Sequence, residues 1–173
     1  GQFRNNNFQL DSSEQCIVTE YKKNNISVNI HAVVYEKQVI LFPPSVQLIS
    51  LENNRLEYIG SDYSAFNTLS QHEKKLVLSE AMKIGKALQA ERYLGVCGID
   101  FILVDGCCFF MEVNGRFQAS SALLNNDLVN NGFPTLQEYH IDAFHNRYAS
   151  LPMPPVNAVG SMINFYIDDE NHE

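Results

Sequence analysis

The segment from Gly98 to Arg116 constrains this chain more than any other. It reads Gly98-Ile99-Asp100-Phe101-Ile102-Leu103-Val104-Asp105-Gly106-Cys107-Cys108-Phe109-Phe110-Met111-Glu112-Val113-Asn114-Gly115-Arg116. Two apolar stretches flank an Asp-Gly turn signal, which predicts a β-hairpin. Both stretches are apolar on both faces, so the hairpin is expected in the middle of the protein. Three polar residues break the run: Asp100, Glu112 and Asn114. Glu112 and Asn114 are two apart on one strand and share a face. The turn decides whether Asp100 joins them. A two-residue Asp105-Gly106 turn pairs Val104 with Cys107, sets Asp100 against Met111, and sends the two carboxylates to opposite faces. A three-residue loop, Asp105-Gly106-Cys107, pairs Val104 with Cys108 and sets Asp100 directly against Glu112. The expectation is the second arrangement.

Two carboxylates buried on opposite faces would be two unpaired charges, each costing several kcal/mol. Side by side they repel unless a divalent cation lies between them. Two carboxylates and an amide are all oxygen donors, which suit Mg²⁺ or Mn²⁺ rather than Zn²⁺. Arg116, just past the strand, can neutralise a phosphate at such a metal. The bland alternative is a surface hairpin whose acids face solvent. Phe101, Phe109, Phe110 and Met111 around the acids argue for burial.

The rest of the chain is consistent with one domain over residues 1–173. Apolar residues make up 45% and charged residues 18% of the sequence, which excludes a disordered or collagen-like chain. The formal net charge of -8 offers no basic surface, so neither nucleic acid nor an anionic membrane is an expected partner. Apolar runs of about five residues are far too short to span a membrane. The four cysteines have no metal-clamp spacing and are read as buried thiols of a reducing, cytoplasmic setting. The five histidines show no HxxxH or HExxH spacing and are read as surface or satisfied core residues.

Strands are predicted at 15–21, from Ile26 to about Tyr35, at Val39–Phe42, Val46–Ser50 and Arg55–Ile59, and finally near Met162–Ile167. Ser70-Gln71-His72-Glu73 is a capping box, and the helix behind it carries Val77, Ala81, Ile84 and Leu88 on one stripe, with Gly95 as its stop. A short helix is predicted from Ser120 to Asn131. A second capping box at Thr135–Glu138 opens a helix with Ile141, Phe144 and Tyr148 on its apolar side. The pattern is α+β: a largely antiparallel sheet with helices packed on it.

Gly-Ile-Asp-Phe-Ile at 98–102 and Met-Glu-Val-Asn-Gly-Arg-Phe-Gln at 111–118 resemble the metal-binding hairpin of the ATP-grasp ligases. Val18-Thr19-Glu20-Tyr21, followed by Ile26-Ser27-Val28-Asn29, resembles that family's adenine-holding hinge strand and the strand after it. Ser45-Val46-Gln47 resembles a Ser-x-Gln of the carboxylase-like members. The similarity covers roughly residues 15 to 130. It implies that Asp100 and Glu112 are acidic metal ligands, with Glu112 bridging two Mg²⁺ ions, and that Asn114 is the amide ligand of the second ion. It implies that Arg116 stabilises the transferring phosphoryl group. It also implies that Ile102 packs on adenine, and that the backbone of Glu20 and Tyr21 hydrogen-bonds the adenine edge. By their residue patterns alone, Ile102 reads equally well as a core isoleucine, and Glu20 and Tyr21 as a strand end.

The implied activity is an ATP- and Mg²⁺-dependent ligase. It activates a small-molecule carboxylate as an acyl phosphate, which an amine or similar nucleophile attacks. The family's lid, a Gly-rich loop with phosphate-reaching lysines, normally precedes the point where this sequence begins. The lid lobe is therefore expected to be incomplete or absent, and the chain alone is expected to bind nucleotide weakly and turn over little. Leu48 to Glu52 stand where the carboxylases carry a basic pair, so bicarbonate chemistry is not expected. Gly115 stands where many members have proline or threonine. The rival reading, from another class, is a non-catalytic module that keeps a nucleotide-site fold for interaction or regulation.

Overall fold

Strand β1, Ile26–Val34, is covered on both faces from Val28 onward: Ile26, Val28, Ile30, Ala32 and Val34 form one apolar set, and Ser27, Asn29, His31 and Val33 the mixed set opposite. Val28, Ile30, Ala32 and Val34 pack into one core cluster, while Val33 and Tyr35 enter another. Two polar residues, Asn29 and His31, are buried on the second face. These features come from a computed structural model that describes residues 20–52 and 55–164.

Around β1 lie β2 (Val39–Leu41), β3 (Ser45–Glu52), β4 (Arg55–Asp62), β5 (Gly95–Val104), β6 (Cys107–Asn114) and β7 (Ser161–Ile163). The strand order is β6-β5-β1-β3-β4-β7, with β2 also on β1, and all the pairs are antiparallel. The helices are α1 (Tyr63–Asn67), α2 (Gln71–Ala90), α3 (Ser121–Asn130) and α4 (Leu136–His145). The fold class is α+β, as expected. Helix α1 has no counterpart in the sequence reading: it is one turn, capped by Asp62 Oδ1 accepting from Ala65 N at 2.8 Å.

Helix α2 covers one face of the sheet. Val77 and Ala81 are buried there with Phe66 against Cys97, Ile99, Phe101 and Leu103 of β5. Its predicted capping box is formed: Ser70 and Glu73 bond reciprocally. Its stop is not Gly95. The helix ends at Ala90, and Arg92 takes the left-handed conformation (φ 63°) while Tyr93 N donates back to Leu88 O. Gly95 instead opens β5.

Helices α3 and α4 cover part of the other face, where Leu124, Leu128, Leu136 and Tyr139 enclose Tyr35 and Phe42. The Thr135–Glu138 capping box is formed as predicted. The stripe assigned to α4 is reversed. Leu136, Tyr139, Asp142 and Ala143 face inward, and Ile141, Phe144 and Tyr148 are more than half exposed. Asp142 explains the reversal, because its carboxylate gathers Tyr35 Oη (3.0 Å), Asn146 Nδ2 (2.6 Å) and Ser150 N (2.9 Å), together with Ser150 Oγ. A hydrogen-bonded carboxylate with so many partners fixes the helix's rotation against a modest apolar stripe.

Other expectations shift at the edges. Residues 15–19 of the first predicted strand lie outside the described residues, and Glu20 and Tyr21 are not in a strand. The last strand spans Ser161–Ile163, and the remainder of its predicted range beyond Asn164 lies outside the described residues. Cys97 is buried, but Cys107 is exposed and Cys108 only partly covered, because both sit at the hairpin tip on the sheet edge. Among the described residues no helix is long and apolar enough to cross a membrane.

Candidate functional site

The hairpin β5–β6 departs from the sequence reading in two ways. Its turn is the two-residue one: Val104 pairs with Cys107, and Asp105 (φ 51°) and Gly106 (φ 73°) both take the left-handed conformation. That turn matches the right-handed twist of the strands and favours an Asp-Gly sequence. The register then shifts between Asp100 and Phe101: Phe101 pairs with Phe110, Asp100 with Glu112, and Met111 is the extra residue of a β-bulge. Asp100 and Glu112 therefore face each other as expected, but through a bulge rather than a longer loop. The second departure is position. Strand β6 is the edge of the sheet, and Phe110 and Met111 are 49% and 51% exposed. Continuous hydrophobicity marked the strand as central, whereas only β5 is.

A polar row crosses the sheet at this level. Asn29 of β1 is registered with Asp100 of β5, which is registered with Glu112 of β6. The row lies on the α3–α4 face, buried at Asn29 beside the start of α3, half-buried at Asp100 and exposed at Glu112 on the sheet edge. Asn29, Asp100, Glu112, Asn114, Arg116, Gln118, Ser120, Gln47, Tyr58 and Ser61 border one open cleft of about 250 Å³ there. Of the residues singled out in the sequence, Asp100, Glu112, Asn114 and Arg116 meet in this cleft. Glu20, Tyr21 and Ile102 lie outside its lining. Ile102 is two residues on from Asp100, on the same face. Its partner Phe109 lies under the Lys22 ammonium, 5.0 Å from the ring centre, and Lys22 pairs with Glu20 at 2.6 Å. The chain at 20–22 is thus held beside the outer half of the hairpin.

Asn114 ties the acids together: its Nδ2 donates to Asp100 Oδ2 and to Glu112 Oε1, each at 3.0 Å. Asp100 Oδ1 accepts from Asn29 Nδ2 at 2.6 Å, Gln118 Nε2 at 3.2 Å and Gln47 Nε2 at 3.4 Å. Burial pushes the Asp100 carboxyl above the usual carboxylate range. The Asn29 and Gln118 amides pull it back, and neighbouring Glu112 pushes it up again. Such a pair is electrostatically unfinished, and a divalent cation would complete it. Among the described residues no three His, Cys, Asp or Glu side chains converge, so any ion here is bound by two carboxylates and an amide. Asn114 can present either end of its amide. The donor set therefore fits a hard cation that takes its remaining ligands from phosphate and water. Arg116 is exposed at the rim, its Nη1 donating to Phe117 O at 3.1 Å.

Asn29 and Gln118 were not recognised as site residues from sequence. The legible signals were polar residues, Asn29 and His31, in the middle of a strand flanked by apolar ones, and a glycine, Gly98, inside a buried strand.

Comparison with known proteins bears on this geometry. A family model for the ATP-grasp domain matches residues 2–120. Similar solved structures include N5-carboxyaminoimidazole ribonucleotide synthetase from Thermus thermophilus, with TM-score 0.54 and 21% identity over 79% of this chain and 34% of that one. Biotin carboxylase from Campylobacter jejuni, solved as a β,γ-ATP complex, has TM-score 0.61 and 17% identity over 82% of this chain and 30% of that one. N5-carboxyaminoimidazole synthetase from Staphylococcus aureus complexed with ADP has TM-score 0.51 and 15% identity over 75% and 31%. The chain thus spans about a third of the length of these structures. No curated protein sequence matches it.

Proposed function

This chain belongs to the ATP-grasp family, and on that premise we propose that it serves an ATP- and Mg²⁺-dependent ligase joining a small-molecule carboxylate to an amine. The carrying observation is the convergence of Asp100, Glu112, Asn114 and Arg116 on one cleft. The proposed reaction has two steps. A carboxylate oxygen attacks the γ-phosphorus of ATP as the bond to the β-phosphate oxygen breaks, giving an acyl phosphate and ADP. The amine then attacks the acyl carbon, phosphate leaves, and the amine proton passes to solvent or to phosphate.

Such a transfer needs positioning and charge stabilisation more than covalent help from the protein. Asp100 Oδ2, Glu112 and Asn114 hold Mg²⁺ or Mn²⁺ at the nucleotide phosphates. The bound cation supplies charge neutralisation for the β- and γ-phosphate oxygens. Arg116 at the rim places its guanidinium on the oxygens of the transferring group, where charge spreads in the transition state. Ile102 and the backbone at Glu20 and Tyr21 hold the adenine. The β,γ-ATP and ADP complexes among the structural neighbours support a nucleotide at this fold.

The test is Mn²⁺ binding to the 173-residue chain in the presence of ADP, followed by electron paramagnetic resonance. Glu112→Gln and Asp100→Asn should each weaken binding at least about tenfold, since each removes an anionic ligand. Wild-type affinity in both variants would remove the metal from this reading. A panel of carboxylate–amine pairs, scored by ADP release, then addresses the substrates.

A further inference from the structure

The two oxygens of Asp100 are treated unequally. Oδ1 receives three amide donors, from Asn29, Gln118 and Gln47, whereas Oδ2 receives Asn114 alone among the described residues. A carboxylate oxygen has about two lone-pair sites, so Oδ1 is used up inside the protein and Oδ2 is the oxygen left for a cation.

The clamp on Oδ1 is itself held. Asn29 is 2% exposed, its second Nδ2 hydrogen goes to Gln118 Oε1 at 2.5 Å, and its Oδ1 accepts from Ser120 Oγ at 3.2 Å. The Gln118 backbone N–H donates to Ser121 Oγ at 2.9 Å, and that hydroxyl meets His31 Nε2 at 2.8 Å in the core. Gly98 provides the seat. A Cβ there would fall 1.9 Å from Gln118 Cδ and 2.0 Å from its Oε1, so the amide lies flat on bare backbone. Glycine inside a strand weakens it and commonly marks such a close approach.

We propose that Asn29 and Gln118, seated by Gly98, act as positioning residues that make Asp100 a one-oxygen ligand, and that this makes the site select Mg²⁺ or Mn²⁺ against Ca²⁺. The proposal rests on the metal site of the preceding section. Ca²⁺ takes six to eight oxygens at about 2.3–2.6 Å and readily uses both oxygens of a carboxylate, whereas Mg²⁺ wants about six at 2.0–2.1 Å in strict octahedral directions. A carboxylate with one oxygen withheld suits the smaller ion. Releasing Oδ1 would let Asp100 turn and chelate the larger one.

The experiment is displacement of Mn²⁺ by Ca²⁺, read by electron paramagnetic resonance with ADP present, in wild type, Gln118→Ala and Gly98→Ala. Gly98→Ala removes no polar group and expels the Gln118 amide by bulk. Circular dichroism and thermal melting establish that each variant is folded. In both variants the preference for Mn²⁺ over Ca²⁺ should drop about tenfold, the scale on which partners of metal ligands act. A loss of affinity for both ions in proportion would mark a merely structural role and overturn the proposal. An unchanged preference would overturn it as well, while leaving the metal site in place. Failure of the wild-type chain to hold Mn²⁺ with ADP would instead overturn the metal site and this proposal together.

Discussion

His31 is fully buried on β1, and burial pulls its imidazole down to about 4. An unfolded chain binds that proton near pH 6.5. The neutral ring therefore leaves stability complete above about pH 6.5, and stability is lost as pH falls from there through the folded value, by about 3 kcal/mol at pH 4. Denaturant unfolding between pH 4 and 7 should show this slope, and His31→Gln should flatten it. At the rim, Arg116→Ala should leave Mn²⁺ and ADP binding within a few-fold of wild type. In whichever carboxylate–amine pair releases ADP, turnover should fall about 10²–10³-fold, the effect of removing one charge-stabilising group. A loss of nucleotide binding equal to the loss of turnover would mean that Arg116 acts on the ground state.

At the scale of elements, Asp142 locks the end of α4 to Tyr35, just past β1, and to the segment that follows α4. Desolvation alone would raise its carboxyl, but hydrogen bonds from Ser150, Tyr35 and Asn146 outweigh that and hold it below the usual range. Its stabilisation is complete above the ordinary aspartate pKa of about 4 and is lost as pH falls through the lower folded value. Asp142→Ala should cost roughly 3 kcal/mol, measured by urea denaturation at pH 7, because the Tyr35 hydroxyl and the Ser150 amide lose a charged acceptor together.

The elements also show what sequence can and cannot tell. Both capping boxes were legible, because a cap is a local bond between residues three apart. The sense of the α4 stripe was not, because Tyr35, far away in sequence, helps decide which side faces in. The edge position of β6 was equally hidden. Its apolar run on both faces looks like a central strand, and neighbour order is a property of the sheet as a whole. The acids' meeting was legible as chemistry, since two carboxylates and an amide in one hairpin point to a cation. The bulge that achieves it was not.

Over the whole molecule, one face of the sheet is covered by α2 and the other only partly by α3 and α4. The polar row of Asn29, Asp100 and Glu112 crosses that second face from the buried interior to the exposed edge and borders the cleft. With a formal net charge of -8, the chain repels a nucleotide's phosphates unless cations come with it. ADP alone, with chelator present, should therefore leave the melting temperature unchanged. ADP with Mg²⁺ should raise it, because a ligand at a hundred times its dissociation constant adds about 2.7 kcal/mol. Equal stabilisation by ADP with and without Mg²⁺ would contradict the proposed coupling of metal and nucleotide. The fold class was legible at this scale because alternating strand patterns and two capped helices leave few layered arrangements.

The bulge at Met111 turns the meeting of the two acids into a matter of parity. A regular hairpin with a two-residue turn matches partners across an even number of intervening residues, and the stretch from 101 to 111 between Asp100 and Glu112 is odd. One residue must be lodged somewhere, in the loop or in the ladder, and this chain lodges it at an open edge where a kink disturbs no further strand. Deleting Met111 should close the ladder, keep Asp100 opposite Glu112, and leave Mn²⁺ binding near the wild-type value. A residue added at the turn also makes the count even: with Asp105, Gly106 and Cys107 it forms a four-residue loop, Met111 pairs with Phe101, and Asp100 still meets Glu112. The hairpin can recover a regular ladder either by losing one residue from β6 or by gaining one at its turn.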